Sequence, residues 1–245
     1  MSDFMHDVDV DIVIVGWDNF ELTRRCLDSV SQVLAPDWQV TYVDNGSRLE
    51  GLLALMRDYP WMHLIASPFN QGFVRGVNLG LACALFSKAP YVLLLNNDAW
   101  APEGDTTWLE RMVSHFHDEQ VGAVGAVTDR VFGFQRRERG AYSGGPLVTE
   151  APVLIAFALM IRKSAFQKVG FFDERFTPGN YEDFDYSVRL RRAGYKLVVA
   201  ESVWLHHQMH ATCERLDLPA LLEKNRQKFV EKWGDATLRE MGITV

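Results

Sequence analysis

The order of apolar and amphipathic stretches predicts an α/β fold with a largely parallel sheet. Strand-like and helix-like patterns alternate through the first hundred residues, the arrangement that builds parallel sheets with crossover helices. The strand-like runs at 11–16, 40–43 and 91–95 are almost wholly apolar, as strands covered on both faces are. Of the 245 residues, 48% are hydrophobic and 12% aromatic, enough to fill a core on each side of such a sheet.

Each element has a local reason. Residues 11–16 are β-branched and end on Gly16. The stretch 20–33 places Leu22, Cys26, Leu27 and Val30 at helical spacing with charges between them. A second strand at 40–43 runs into Asp-Asn-Gly-Ser at 44–47, a turn composition. A helix at 48–58 and a short strand at 63–66 follow. Gly72, Gly76 and Gly80 then lead into an alanine- and leucine-rich helix. The strand at 91–95 ends in Asn96, Asn97 and Asp98.

Beyond it, 121–127 reads as strand and 130–145 as a charged surface excursion carrying Arg136, Arg137 and Arg139. Apolar structure resumes at 151–161. A short helix at 164–169 has Ser164 placed to cap it, and a helix at 182–193 ends at Gly194. Strands are expected at 196–200 and 202–205, and an amphipathic helix at 218–233.

Several classes are disfavoured. Twenty-five Lys and Arg against 32 Asp and Glu give a net charge of −7, which argues against a non-specific nucleic-acid binder while permitting a nucleotide ligand. The longest apolar run, 151–161, contains Pro152 and is well short of the ~20 residues of a membrane-spanning helix. The first residues are acidic where a signal peptide is basic. Cys26, Cys83 and Cys213 form no C-x-x-C pair, the usage expected of a reduced, cytoplasmic chain.

Ligands of open α/β sheets bind beyond the carboxyl ends of the strands. Three such ends are polar here: Gly16-Trp17-Asp18-Asn19, Asp44-Asn45-Gly46-Ser47 and Asn96-Asn97-Asp98. Turn chemistry explains any one of them; three on one edge point to a site. The glycine-rich 70–78 segment matches neither the dinucleotide-binding nor the P-loop pattern. It is either an entry to the next helix or a place where Arg75 or Asn78 approaches a diphosphate. Glu182, Asp183 and Asp185 crowd one helix start, where the dipole favours acids and mutual repulsion can tune a general base. His206, His207 and His210 follow a strand and matter if His206 meets Asp98. Arg136, Arg137 and Arg139 form either a solvated loop or a contact for an anionic or lipid-linked acceptor.

Taken in order, the segments V-D-I-V-I-V-G-W-D-N, V-D-N-G-S, N-Q-G-F-V-R-G-V-N-L-G, L-L-L-N-N-D, G-F-F-D-E-R-F, Y-E-D-F-D-Y-S-V-R-L-R-R-A-G-Y-K and L-H-H resemble family 2 glycosyltransferases, particularly their rhamnosyltransferase-like branch. The resemblance covers about residues 9–207 and implies one GT-A domain: a Rossmann-like nucleotide-binding unit with a mixed, mainly parallel sheet flanked by helices. Within it, 9–100 would bind the donor, 101–215 would bind the acceptor and carry catalysis, and 216–245 would form a helical tail.

The resemblance also implies roles. Val15, Gly16 and Trp17 would contact base and ribose, and Asp44 the base. Asn45, Gly72, Arg75, Asn78, Asn96 and Asn97 would complete the nucleotide-sugar site. Asp98, where the family has D-x-D, and His206 would hold Mn2+ or Mg2+, with His207 the alternative histidine. Asp183 would be the catalytic base, with Glu182 and Asp185 binding the acceptor. Two departures stand out: N-N-D carries one acid, and G-W-D-N replaces the usual aromatic-Asn pattern.

The implied reaction is metal-dependent, inverting transfer from a UDP- or dTDP-linked sugar to a glycan or lipid-linked acceptor, in the cytoplasm or peripherally at the inner face of the membrane. Two other readings stand beside it. A sugar-phosphate nucleotidyltransferase would need a basic glycine-rich loop that 16–21 lacks. A non-catalytic sugar-binding domain on the same fold would have no need of Asp98, Asp183 and His206.

Overall fold

The computed structural model describes residues 9–35, 38–141, 148–208 and 217–242. Its first half alternates strand and helix as expected: β1 (Val10–Gly16), α1 (Phe20–Ser31), β2 (Gln39–Asp44), α2 (Leu49–Asp58), β3 (His63–Ala66), α3 (Phe73–Ala84) and β4 (Tyr91–Asn96). These strands lie parallel in the order β3-β2-β1-β4. The register sets Gly16 opposite Asp44 and Val15 opposite Asn96. Three polar strand ends therefore share one edge, about 5 Å apart from strand to strand.

Side chains along β1 alternate between two cores. Ile12 and Ile14 pack with Leu27 and Val30 of α1, whereas Val13 and Val15 pack with Val77 and Leu81 of α3. Helix α3 comes unusually close to β1 because its facing positions lack side chains. A Cβ on Gly80 would lie 2.2 Å from Val13 Cγ1, and one on Gly76 would lie 2.7 Å from Val15 Cγ1.

The second half comprises β5 (Ala99–Trp100), α4 (Trp108–Ser114), β6 (Val121–Val127), β7 (Val148–Glu150), β8 (Ala158–Arg162), α5 (Lys163–Val169), α6 (Glu182–Arg192), β9 (Lys196–Trp204), β10 (His206–His207), α7 (Leu218–Trp233) and α8 (Asp235–Glu240). It extends the sheet beyond β4 in the order β8-β6-β9-β7. Strand β8 runs antiparallel to both neighbours, while β6 and β9 are parallel. The sheet is mixed and mainly parallel, and β5 pairs with β10 in a separate antiparallel ribbon.

Several local expectations change. The two strands expected over 196–205 are one, β9. Ser164 lies inside α5, whose cap position is Arg162 and carries no side-chain cap bond. Helix α4 has no counterpart among the sequence expectations, although Trp108, Leu109 and Met112 are all buried. The excursion at 130–145 is pinned where it is described. The buried Gln135 amide donates to Ala126 O at 2.9 Å and accepts from the Ile155 N–H at 2.5 Å. Arg137 forks onto Glu201 at 2.6 and 2.8 Å. Residues 142–145 of that stretch, with His210 and Cys213, lie outside the described residues.

Candidate active site

The edge formed by β1, β2 and β4 is stitched together by its own turns. The Asp18 N–H donates to Ser47 Oγ at 2.7 Å, and the Arg48 N–H donates to Asp18 Oδ1 at 3.1 Å. Asp18 and Asn19 both hold positive φ, at 51° and 47°, a strain often kept at functional sites. Gly16 has a packing reason, since a Cβ there would lie 2.2 Å from Tyr42 Oη. Asp44 is 1% exposed. Its Oδ2 accepts from the Gly46 and Ser47 amides at 3.2 and 3.1 Å, and its Oδ1 is buried with no hydrogen-bond partner. An orphaned carboxylate oxygen at a strand end is costly, so it marks a place for a donor that a ligand could bring.

Asp98 follows β4 and faces His207. The His207 Nδ1 lies 3.1 Å from the Arg130 carbonyl, to which it donates. That bond leaves the Nε2 lone pair directed at the strand end, 3.5 Å from Asp98 Oδ1 and 3.4 Å from Asn96 Nδ2. A backbone carbonyl on one ring nitrogen is the usual way to orient a metal-binding histidine. The Phe157 ring stacks on the imidazole at 4.8 Å between centroids, and Asn96 Oδ1 beside it is buried without a partner. Carboxylate plus imidazole suits Mn2+, so the donor set fits a divalent ion. Among the described residues no three His, Cys, Asp or Glu side chains cluster; the protein would supply two such ligands and the diphosphate and water the others.

His206 faces away from Asp98. Adjacent residues of a strand face opposite ways, and the register pairs His206 with Trp100 and His207 with Ala99. His206 stacks on Trp100 at 5.1 Å and meets Trp204 edge-on at 4.8 Å. Burial, with the nearby Arg139 and Arg25, lowers its pKa.

The acidic cluster divides by function. Asn180 and Tyr181, both at positive φ, deliver the chain into α6. Asp183 is 9% exposed; its Oδ1 accepts from the Phe184 N–H at 2.8 Å, and the Ala156 amide also donates to it. Burial nonetheless raises its pKa to about 6. Glu182 is driven well above the usual carboxylate range by burial and by Asp183, and its Oε2 has no partner.

Residues 156–157 join the two halves of the site. The Ala156 amide reaches Asp183, while the Phe157 carbonyl accepts from the Asn96 N–H at 2.8 Å and the Phe157 ring covers His207. An open cavity of about 460 Å³ is lined by Asp129, Arg130, Val131 and Phe132 among others. It adjoins both halves, because Arg130 holds His207 and Phe132 packs edge-on against Phe184.

Other expected site residues are engaged in holding the scaffold. Asp185 is fully buried and faces the C-terminal helix, not the cleft. It meets Arg189 at 2.8 Å, Trp233 Nε1 at 2.8 Å and Lys232 at 2.6 Å, so both carboxylate oxygens are taken up by the scaffold. Asn97 donates to Thr23 Oγ1 at 2.9 Å, which ties β4 to α1. Asn45 holds the 70–72 loop through Asn70 Oδ1, the Gly72 carbonyl and the Gln71 N–H. Arg75 pairs with Glu174, and Asn78 grips the Phe172 backbone in both directions at 3.0 Å. Gly72, at φ 87°, lets Pro178 pack against it, and the Pro178 carbonyl takes the Phe73 N–H at the helix start. Val15 and Trp17 remain at the β1 end. His207 entered the sequence reading only as the alternative to His206, and Phe157 and the Ala156 amide were not singled out.

The comparisons with known proteins concern the family and the fold. The family model described as glycosyl transferase family 2 matches residues 11–184. The O-antigen biosynthesis protein RfbC of Myxococcus xanthus is 25% identical over 227 residues; the match takes in 81% of this chain and only 17% of RfbC. The N-acetylglucosaminyl-diphospho-decaprenol L-rhamnosyltransferase of Mycobacterium tuberculosis is 29% identical over 239 residues, covering 82% of this chain and 76% of that enzyme. Among solved structures, the mannosyltransferase PcManGT from Pyrobaculum calidifontis, in complex with GDP-Man and Mn2+, superposes with TM-score 0.68 at 16% identity, over 95% of this chain and 67% of that one. GalNAc-T7 with UDP, GalNAc and Mn2+ gives 0.64 at 13% identity, over 82% and 44%. At such identities the likeness establishes the fold, which is GT-A.

Proposed function

Because the chain belongs to glycosyl transferase family 2, we propose that it moves a sugar from a nucleoside diphosphate to an acceptor hydroxyl with inversion at the anomeric carbon. The observation that carries this reading is the meeting of Asp98 and His207 with Asp183 on either side of residues 156–157.

Residues 9–100 bind the donor, with the base at the β1–β2 edge where Asp44 Oδ1 awaits a donor group. Asp98 and His207 would hold Mn2+ or Mg2+, which when bound supplies Lewis-acid neutralisation of a leaving diphosphate. Residues 101–208 bind the acceptor and carry the base. Asp183 accepts the proton of the acceptor hydroxyl. The oxygen then attacks the anomeric carbon while the bond to the diphosphate oxygen breaks. Three features suit Asp183 to accepting that proton. A pKa near 6 matches a base working at neutral pH, the α6 dipole favours its charged form, and backbone amides fix its position. Glu182 contacts the acceptor. Phe157 and Phe132 shield the site from water, as in-line transfer needs.

The rhamnosyltransferase relative acts, by its name, on a diphospho-lipid acceptor. We extend that acceptor class to this chain, with UDP- or dTDP-sugars as donors. Among the described residues no helix is long and apolar enough to cross a membrane, so a lipid-linked acceptor would be met peripherally at the inner face.

The test is a melting-temperature screen of UDP-, dTDP- and GDP-sugars with Mn2+ and with EDTA, followed by assay of diphosphate release. A donor that stabilises the protein only with metal, and is turned over, supports the reading. Metal-independent stabilisation, or binding without turnover, would favour the sugar-binding alternative.

A further inference from the structure

The outward face of the β5–β10 ribbon carries a continuous stack that the reaction above does not use. Arg25 lies over Trp100 at 5.6 Å, Trp100 stacks on His206 at 5.1 Å, His206 meets Trp204 at 4.8 Å, and Arg139 lies over Trp204 at 5.5 Å. The three rings are half-buried, whereas Arg139 is exposed and the Arg25 side chain is 52% exposed. A guanidinium over an indole can still turn N–H groups outward, and those groups grip phosphate.

The arginines of this region are not equivalent. Arg137 is committed to Glu201. Arg25 has an exposed (i,i+4) pair with Glu21, an interaction weak enough for an anion to displace. The side chain of Arg139 is held by Trp204 alone among the contacts identified. In a chain of net charge −7, two arginines placed at the ends of one aromatic stack are a local concentration of positive charge. Their position is also informative. The strand that turns His206 outward to this stack turns His207 inward to Asp98.

We propose that Arg25 and Arg139, held by the Trp100–His206–Trp204 stack, bind the phosphate groups of a diphosphate-linked acceptor. The proposal rests on the transferase reading above and deepens it by assigning the acceptor's anionic portion to a named surface. The phosphates of the acceptor and of the donor then lie on opposite faces of the same ribbon, which brings the acceptor sugar to the cleft edge without the two anions sharing a site.

Inorganic pyrophosphate is the probe, titrated in EDTA so that metal-dependent donor binding is silent, and followed by calorimetry and by tryptophan fluorescence. One site per chain is expected. Arg25→Gln and Arg139→Gln should each weaken it at least fivefold, and Arg57→Gln, an exposed arginine outside the stack, should leave it unchanged. No binding by the parent, or parental affinity in either stack variant, overturns the proposal. A second arm uses vesicles of phosphatidylglycerol or phosphatidylcholine. Arginine-dependent binding to the anionic vesicles without pyrophosphate binding would assign the stack to membrane headgroups and overturn the acceptor assignment. A third arm measures transfer: the double variant should raise the KM for a diphosphate-linked acceptor, with donor KM and kcat unmoved. Arginine-dependent pyrophosphate binding in a chain that turns over no nucleotide sugar would instead defeat the transferase reading and leave the anion site standing.

Discussion

Replacing Asp183 with Asn separates catalysis from stability, because the two effects have opposite signs. Burial lifts the Asp183 carboxyl from 3.8 to about 6. The folded state therefore holds its charge at a cost of about 2 pH units, or up to about 3 kcal/mol at 1.36 kcal/mol per unit. For a raised carboxyl, stability is greatest below the unfolded pKa and declines as pH rises to the folded one. Asp183 takes stability away between about pH 4 and about 6.5, and Glu182, raised by burial and by Asp183, takes more away at higher pH. Asp183→Asn removes the first of these contributions. Its oxygen still accepts from the Phe184 N–H, and its new NH2 costs about 1 kcal/mol if unpaired. A net gain of about 2 kcal/mol at about pH 8 corresponds to roughly 4–8 °C in Tm for a chain of this size, and the gain should vanish at about pH 4. Transfer should fall about 10²–10⁴-fold, and parental activity should rise with pH through about 6, an apparent value belonging to the coupled Glu182–Asp183 pair. Melting curves and transfer rates on one preparation decide the matter. A variant that is less stable at high pH yet turns over normally would make Asp183 a helix-end acid and refute the assignment.

The remaining predictions address neighbouring groups. His207→Ala should weaken Mn2+ affinity by about 10–100-fold or more, whereas His206→Ala should leave it nearly unchanged; calorimetric Mn2+ titration in the presence of UDP reads both, and the reverse order would restore His206. Asp185→Ala should cost up to about 3 kcal/mol by removing the buried carboxylate that pairs with the part-buried Arg189 and Lys232, with transfer per folded molecule retained; urea unfolding measures it. Gly80→Ala should cost about 1–3 kcal/mol, since the new methyl would lie 2.2 Å from Val13 Cγ1, and a neutral Tm would show that α3 can shift freely.

Much of the fold was legible because it rests on signals local to the chain. The parallel half follows from almost wholly apolar runs at 11–16, 40–43 and 91–95, and their shared direction puts the three polar ends on one edge. The choice of histidine was not legible. His206 and His207 sit on a two-residue strand, and only the pairing of that strand with Ala99–Trp100 decides which ring faces Asp98. Asp185 could have been separated from Asp183 in advance, since two helical positions are about 200° apart. Its true partners, Lys232 and Trp233, are nearly fifty residues further along and leave no local trace. The same distance hides the attachment of Asn78 to Phe172 and of Asn97 to Thr23. Polar residues in a glycine-rich loop look alike whether they meet a ligand or the protein's own backbone.

The central claim is that one strand-end carboxylate and His207 hold a metal that the donor diphosphate shares. The most direct measurement is titration of UDP, dTDP and GDP into the parent and Asp98→Asn proteins, in Mn2+ and in EDTA. The account predicts that at least one nucleotide binds the parent in Mn2+, that chelation weakens this binding at least tenfold, and that Asp98→Asn does the same while Tm changes by only a few degrees. Equal nucleotide affinity with and without Mn2+, or an Asp98→Asn protein that binds as the parent does, would contradict it.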